Sequence, residues 1–448
     1  MNKNPGYFFL ALTLSGILKA VFFPEALQLP SIYLYFVLLF LIPGWVCGSI
    51  FLPFERYELP SRLAVSTAIG FALATIPCLL AYLLRISVEH LFYAMLLCIS
   101  LPVSLLAAWR GKPLGGAAAG VGHEISRLQV IALFVFFALA SGAALRDILF
   151  CQRLQYTNDV YHDLAEIVKY VYSPASYGWS PHIKGIYTTA VHLYHIPILL
   201  LALLVRSSGG LDIYLVYSYL SPLIMVLIFC STYFLASSLF KNKSVALFLV
   251  LISLWPVTEL GSLTSYTTEI IYLVALTLVI RTISGGSRPE FVLAGILGGI
   301  LFQWRVTKCS YFLMAVTLLG FAVLVFDRRN RSALWAIAKI VILALLVSVP
   351  FIIIKVNHPA WSAFRVSAEY YPFRLIKIPW NMFYINPLDY VYHNYDRVIA
   401  LILCPWLLVY RKYPWAMFLF SLLVFPAFVQ FFPPFATLAS WVLDYLFV

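Results

Sequence analysis

Apolar runs of roughly 17–25 residues recur along the whole chain, each long enough to cross ~30 Å of hydrocarbon as an α-helix. Barrel strands would alternate polar and apolar residues, and these runs do not. Helices are therefore expected throughout. Composition agrees: 63% of the residues are hydrophobic and 11% charged, against about 25% charged in a soluble domain. The chain has too little polar surface to face water on all sides. The expected fold class is all-α: a polytopic integral membrane protein with about 12–14 transmembrane helices and amphipathic helices in its outer loops.

Five spans are predicted first, at 7–23, 31–52, 62–84, 89–109 and 128–146. The first follows a single lysine and lacks a small-x-small cleavage site, so it reads as an uncleaved span. Lys3, Arg56, Arg62, Arg110, Lys112 and Arg127 fall on one side of these spans, and the alternate loops carry only Arg85. The positive-inside rule then places the N-terminus in the cytoplasm of a cell (plasma or inner) membrane. The stretch "GKPLGGAAAGVG" (111–122) reads as a flexible cytoplasmic linker, and 147–190 lies outside. Further spans are predicted at 214–239, 245–257, 268–281, 290–304, 309–326, 334–354, 398–410 and 415–432. Parity between the outer 147–190 and the cytoplasmic "KNKS" (241–244) leaves no room for 190–205 to cross. That run is expected to be a re-entrant or surface-lying outer helix. Only about fourteen residues follow Pro434, so the chain is expected to stop short of a complete final span.

The net charge of +12 would point to nucleic acid in a soluble protein. Here the cations gather at the ends of apolar runs, where they orient helices and meet anionic lipid. Membrane lipid is the expected partner, and nucleic acid is not. The seven cysteines are scattered, with no CxxC pair, which argues against both a disulfide framework and a metal site.

One segment breaks the avoidance of charge. "TNDVYHDLAEIVKYVY" (157–172) holds Asp159, His162, Asp163, Glu166 and Lys169. Leu164, Ile167, Val168 and Val171 recur at helical spacing, with Asp163, Glu166, Lys169 and Tyr170 between them. This predicts an amphipathic helix in the outer membrane interface, capped by Asn158 or Asp159 and wetted along its polar face. A carboxylate held where a membrane cavity opens outward could act as general base on an acceptor hydroxyl. His162, His182, His192 and His195 also fall in this region. Their spacing matches no metal-ligand pattern, histidines are common at membrane interfaces, and hydrogen bonding to a phosphate or sugar is favoured over a bound metal. The second outer stretch, 355–397, carries Arg365, Arg374 and Arg397 among many aromatics. Arginine holds phosphate in bidentate fashion. Arg305 and Lys308 sit between two apolar runs and are expected to mark the outer turn of a hairpin or to line a polar cavity.

These residues resemble the GT-C fold glycosyltransferases, multi-span enzymes that take a sugar from a polyprenyl-phosphate carrier on the outer face. The resemblance rests on "NDVYHDLAEIVKYV" followed by "YGWSPHIKGIYTTAVHLYH". It also rests on "AGILGGILFQWRVTKCSYFLMAVTLL" (294–319) and on the Pro-Gly and Glu-Arg pairs within 41–76. It implies Asp159 as the catalytic residue, with His162 and Asp163 beside it. His182, His192, His195, Arg305, Lys308, Arg365, Arg374 and Arg397 would be substrate-binding residues. The implied partners are a lipid-phosphate-linked sugar donor and a glycan, lipid or protein acceptor. The chain departs from the family in lacking a double-Pro motif after the loop, and Val160 rather than an acid follows Asp159. A divalent cation, Mg or Mn, is the only cofactor left open. Three parts follow: N-terminal helices and linker (1–127), a GT-C-like core containing the outer loop 147–190 (128–354), and a second outer loop with C-terminal helices (355–448). A transporter or flippase of lipid-linked sugars, and a surface-polysaccharide polymerase or ligase, are the rival readings.

Overall fold

The structure is a computed structural model. It describes residues 5–110, 127–150, 158–172, 195–240, 242–254, 262–285, 287–326, 331–356 and 416. Within the helices a few side chains, among them those of Asp159, His162 and His195, lie outside the description. All regular structure among the described residues is helical. In chain order the helices are α1 (Pro5–Phe22), α2 (Gln28–Phe51), α3 (Leu59–Leu84), α4 (Val88–Arg110) and α5 (Arg127–Phe150). Next come α6 (Asn158–Tyr172), α7 (His195–Ser207), α8 (Ile213–Leu239) and α9 (Lys243–Leu254). The last are α10 (Leu263–Ile283), α11 (Arg288–Trp304), α12 (Val306–Phe326) and α13 (Arg331–Val356). Eight of them, namely α1 to α5, α8, α10 and α13, are long and apolar enough to cross a membrane. The protein is an all-α, multi-pass membrane protein. The expected spans at 398–410 and 415–432 lie outside the described residues, apart from Ala416, as does the linker at 111–122.

Burial sorts the helices. In α10, 72% of the apolar stretch is buried, in α5 only 11%. The centre is therefore built from α3, α8 and α10, which pack on one another, while α1, α5 and α13 turn broad apolar faces outward toward lipid. With little hydrophobic force between helices in lipid, close association depends on small residues. A Cβ on Gly44 would sit 1.7 Å from the Ser66 carbonyl oxygen, and one on Gly70 would sit 2.0 Å from that of Phe40. The backbones of α2 and α3 meet at these two points. Gly295 and Gly299, four apart on α11, give α13 the same close approach. Two π-helical turns, Val37–Leu41 and Leu96–Ser100, come just before Pro43 and Pro102. A proline ring clashes with the carbonyl four residues back, and a widened turn makes room for it without ending the helix.

α7 is apolar, and its described part spans 13 residues. Ile196 and every residue from Ile198 to Val205 are buried, in contact with α2, α3, α4, α6 and α8. A helix apolar all round belongs inside a protein, and α7 packs inside the bundle rather than on its outer surface.

Polar knots close one end of the bundle. The Glu58 carboxylate, in the α2–α3 connection, accepts from Gln129 of α5 at 2.5 Å, from the Tyr233 hydroxyl of α8, and from the ammonium of Lys243 at the start of α9. Glu290 accepts from the Tyr57 hydroxyl at 2.5 Å, from Arg281 Nε at 2.9 Å and from the Ser287 backbone N–H at 2.6 Å.

Two predictions follow from this packing. Gly70→Ala drives a methyl into the Phe40 backbone and is expected to cost about 1–3 kcal/mol. It should lower the detergent-solubilised melting temperature, while Gly142→Ala, with nothing within 4 Å, leaves it unchanged or slightly raised. The second concerns pH. Burial pulls the Glu58 carboxyl upward, but the hydrogen bonds from Lys243, Tyr233 and Gln129 outweigh it and hold its pKa below the ordinary glutamate value. A depressed pKa contributes stability that is complete above the unfolded value, about 4.3, and is lost as pH falls through the folded value. Melting curves of wild type and Glu58→Gln should therefore differ by a constant amount between about pH 5 and 7, and converge below that range.

Candidate functional site

The opposite end of the bundle gathers the charge that the sequence concentrates in α6. Asp159, Asp163, Glu166 and Tyr170 recur at i, i+4, i+7 and i+11 and so share one face of that helix. The face is not wet. Asp163 is 3% exposed, Glu166 1% and Lys169 7%, whereas Val168 and Tyr172 face outward. The expected solvated face is turned into the protein instead. The described part of the helix runs from Asn158, and the side chains of Asn158 and Asp159, the expected caps, lie outside the description.

Asp163 shows why the inversion is stable. Its Oδ2 accepts from the Tyr217 hydroxyl of α8 at 2.8 Å and from Ser262 Oγ at 2.7 Å, and Thr264 Oγ1 lies 3.2 Å from both carboxylate oxygens. Tyr217 Oη in turn accepts from the Leu263 backbone N–H at 2.7 Å. Ser262 precedes α10 and Leu263 opens it, so the carboxylate sits at the positive end of the α10 dipole. Glu166 is paired with Lys169 one turn on, both buried, and the Lys169 ammonium lies 4.8 Å from the centre of the Tyr170 ring. Burial pushes the Lys169 pKa down more than its partnership with Glu166 raises it. Removing one member of such a buried pair is far costlier than losing an exposed one.

Arg305 and Lys308 reach the same helix start. Arg305 joins α11 to α12, and its Nη1 donates to Ser265 Oγ in the first turn of α10. Lys308 is paired with Glu269, one turn further along α10, and lies 5.3 Å from the Tyr272 ring centre. Trp304 fixes the junction. It is fully buried, its Nε1–H donates to Thr75 Oγ1 at 2.9 Å, and its ring lies 5.2 Å from that of Phe71. The two cations thus mark the turn of a hairpin at the Asp163 end.

The structure therefore brings together Asp163, Arg305 and Lys308 around the start of α10. Asp159 and His162 lie on α6, and His195 opens α7, but their side chains are outside the description. His182, His192, Arg365, Arg374 and Arg397 lie outside the described residues altogether. Sequence reasoning missed Asp147, which is fully buried near the end of α5. There it accepts from the Tyr214 and Ser218 hydroxyls of α8, each at 2.7 Å. It also missed Tyr217, Ser262 and Thr264 as partners for Asp163. The available signal was the hydroxyl-rich stretch "SLTSYTTE" (262–269), which offers donors to a neighbouring carboxylate. Among the described residues no three of His, Cys, Asp and Glu converge as metal ligands. Compared with models of protein families, with curated proteins and with solved structures, the chain matches none.

Asp163→Ala leaves the buried Tyr217, Ser262 and Thr264 hydroxyls without their common acceptor. Each buried group left unsatisfied costs on the order of 1–3 kcal/mol. The variant is expected to melt several degrees below wild type. Asp163→Asn, which keeps one acceptor oxygen, should fall between the two in the same melting experiment.

Proposed function

We propose that this chain is a membrane glycosyltransferase of the GT-C type. It would transfer a sugar from a polyprenyl-phosphate-linked donor to a hydroxyl of a glycan, lipid or protein acceptor. The reaction face would be extracytoplasmic, in the cell membrane, with the N-terminus in the cytoplasm. The observation that carries the reading is the inward turn of the carboxylate face of α6 at the bundle end that also holds Arg305 and Lys308. Burying charge is expensive, and an acidic helix face set beside cations suits a reaction in which a proton leaves one oxygen while negative charge grows on another.

In the proposed step, Asp159, one helical turn before Asp163, takes the proton from the acceptor hydroxyl. The acceptor oxygen bonds to the anomeric carbon as the bond from that carbon to the phosphate oxygen breaks. The electron pair departs with the polyprenyl phosphate, whose charge Arg305 and Lys308 would stabilise, with Arg365, Arg374 and Arg397 as further candidates. Asp163 is assigned a positioning role, since its carboxylate already ties α6 to α8 and α10. His162, His182, His192 and His195 are proposed to hydrogen-bond the sugar or the phosphate.

The test is transfer of labelled sugar from polyprenyl-phosphate donors by membranes containing the protein. Asp159→Asn is expected to lower the rate by about 10²-fold or more, the scale of a lost general base. Full activity in that variant would sink the catalytic assignment. Movement of the intact lipid-linked sugar across a bilayer, with no new glycosidic bond, would favour the transporter reading instead.

A further inference from the structure

At the end of the bundle opposite Asp163, a cavity of about 260 Å³ opens between the α2–α3 connection, the last turns of α8 and α10, and the start of α11. Arg56, Arg281, Ser237, Ser238, Ser284 and Glu290 line it. The lining comes from helix ends, the level at which apolar spans give way to polar headgroups.

Arg281 is held in one orientation. Its Nε donates to Glu290 Oε1 at 2.9 Å, and its guanidinium lies 4.7 Å from the centre of the Tyr57 ring and 5.8 Å from that of Phe234. Glu290 is fixed in turn by the Tyr57 hydroxyl and the Ser287 N–H. The Nε of Arg281 makes the direct contact to Glu290, and the Tyr57 hydroxyl lies beside the same guanidinium. The charge of Glu290 is matched by Arg281, so the exposed Arg56 leaves the cavity a surplus positive charge. The start of α11 adds the partial positive charge of its dipole. A guanidinium fixed through Nε is a preorganised fork for two oxygens of one tetrahedral anion.

We propose that this cavity binds a phosphate group, carried either by a free phosphate or by the headgroup of an anionic lipid. The site is independent of the transfer reaction and lies at the other end of the molecule.

The full chain, purified in a maltoside detergent, is melted while inorganic phosphate is titrated against potassium chloride at equal ionic strength. A parallel titration adds phosphatidate to the micelles, with diacylglycerol as the control lacking phosphate. A saturable rise in melting temperature is expected. Arg56→Gln, at an exposed side chain, and Arg281→Lys, which keeps the charge beside Glu290 but loses the fork, should each weaken the apparent affinity about tenfold. Stabilisation by both ligands identifies a site for phosphate itself, and stabilisation by phosphatidate alone identifies a lipid headgroup site. The proposal is overturned if neither ligand gives a saturable shift, or if the shift survives unchanged in Arg56→Gln. That variant decides the matter even where Arg281→Lys fails to fold.

Discussion

A carboxylate that leaves water must be given donors in return, and the way Asp163 obtains them sets one whole end of this molecule. Its donors come from Tyr217 on α8 and from Ser262 and Thr264 at the start of α10. A single side chain on a non-spanning helix therefore ties together two of the three central spans. The arrangement is reciprocal, because the same contacts satisfy the start of α10. Ser262 and Thr264 direct their hydroxyls to the carboxylate, and the Leu263 N–H finds Tyr217 Oη, itself a donor to Asp163. In low dielectric such a network is strong when complete and costly when broken. The placement of α6, and with it of Asp159, depends on that completeness.

Between the two ends the bundle follows different physics. There is little hydrophobic gain from moving an apolar side chain from lipid to protein, so contact has to come from close fit. Gly44 and Gly70 bring α2 against α3, and Gly295 and Gly299 bring α11 against α13. A cluster of Phe36, Phe40, Phe71 and Trp304 fills the space beside them, the first three rings packed edge to face. Trp304 connects the regimes. Its indole belongs to this apolar middle, yet the next residue is Arg305, whose guanidinium reaches the polar start of α10. The rigidity of the middle is thereby passed to a cation at the end.

The fold class was legible because it rests on run length and composition, which a bilayer reads almost directly. The short α7 was legible in part. The sequence left open whether 190–205 packed within the bundle or lay on its surface, and the burial of Ile198 to Val205 places it within the bundle. The site was read less well, for a definite reason. An amphipathic helix at a membrane surface has two stable orientations, with its polar face toward water or toward donors supplied by other helices. Periodicity in α6 is the same in both. What separates them is whether hydroxyls elsewhere can satisfy Asp163, and those hydroxyls are 54, 99 and 101 residues away in sequence. Asp147 escaped notice in the same way, since its partners Tyr214 and Ser218 lie on α8.

The carboxylates of the bundle are held in two ways, and the difference bears on what each can do. Glu58 and Glu290 are each matched by a cation, Lys243 and Arg281, and by hydroxyl or amide donors besides. Paired in this way, they serve to fix cations and helix ends in place. Asp147 and Asp163, at the other end, draw on the hydroxyls of tyrosine, serine and threonine. Hydroxyls hold a carboxylate in position while leaving them free to reorient as its charge changes, because each is both donor and acceptor. A rigidly ion-paired carboxylate is suited to fixing a cation, and a carboxylate resting on hydroxyls is suited to changing its charge. The Asp163 end holds both kinds, since Glu166 pairs with Lys169 and Glu269 with Lys308 while Asp147 and Asp163 rest on hydroxyls.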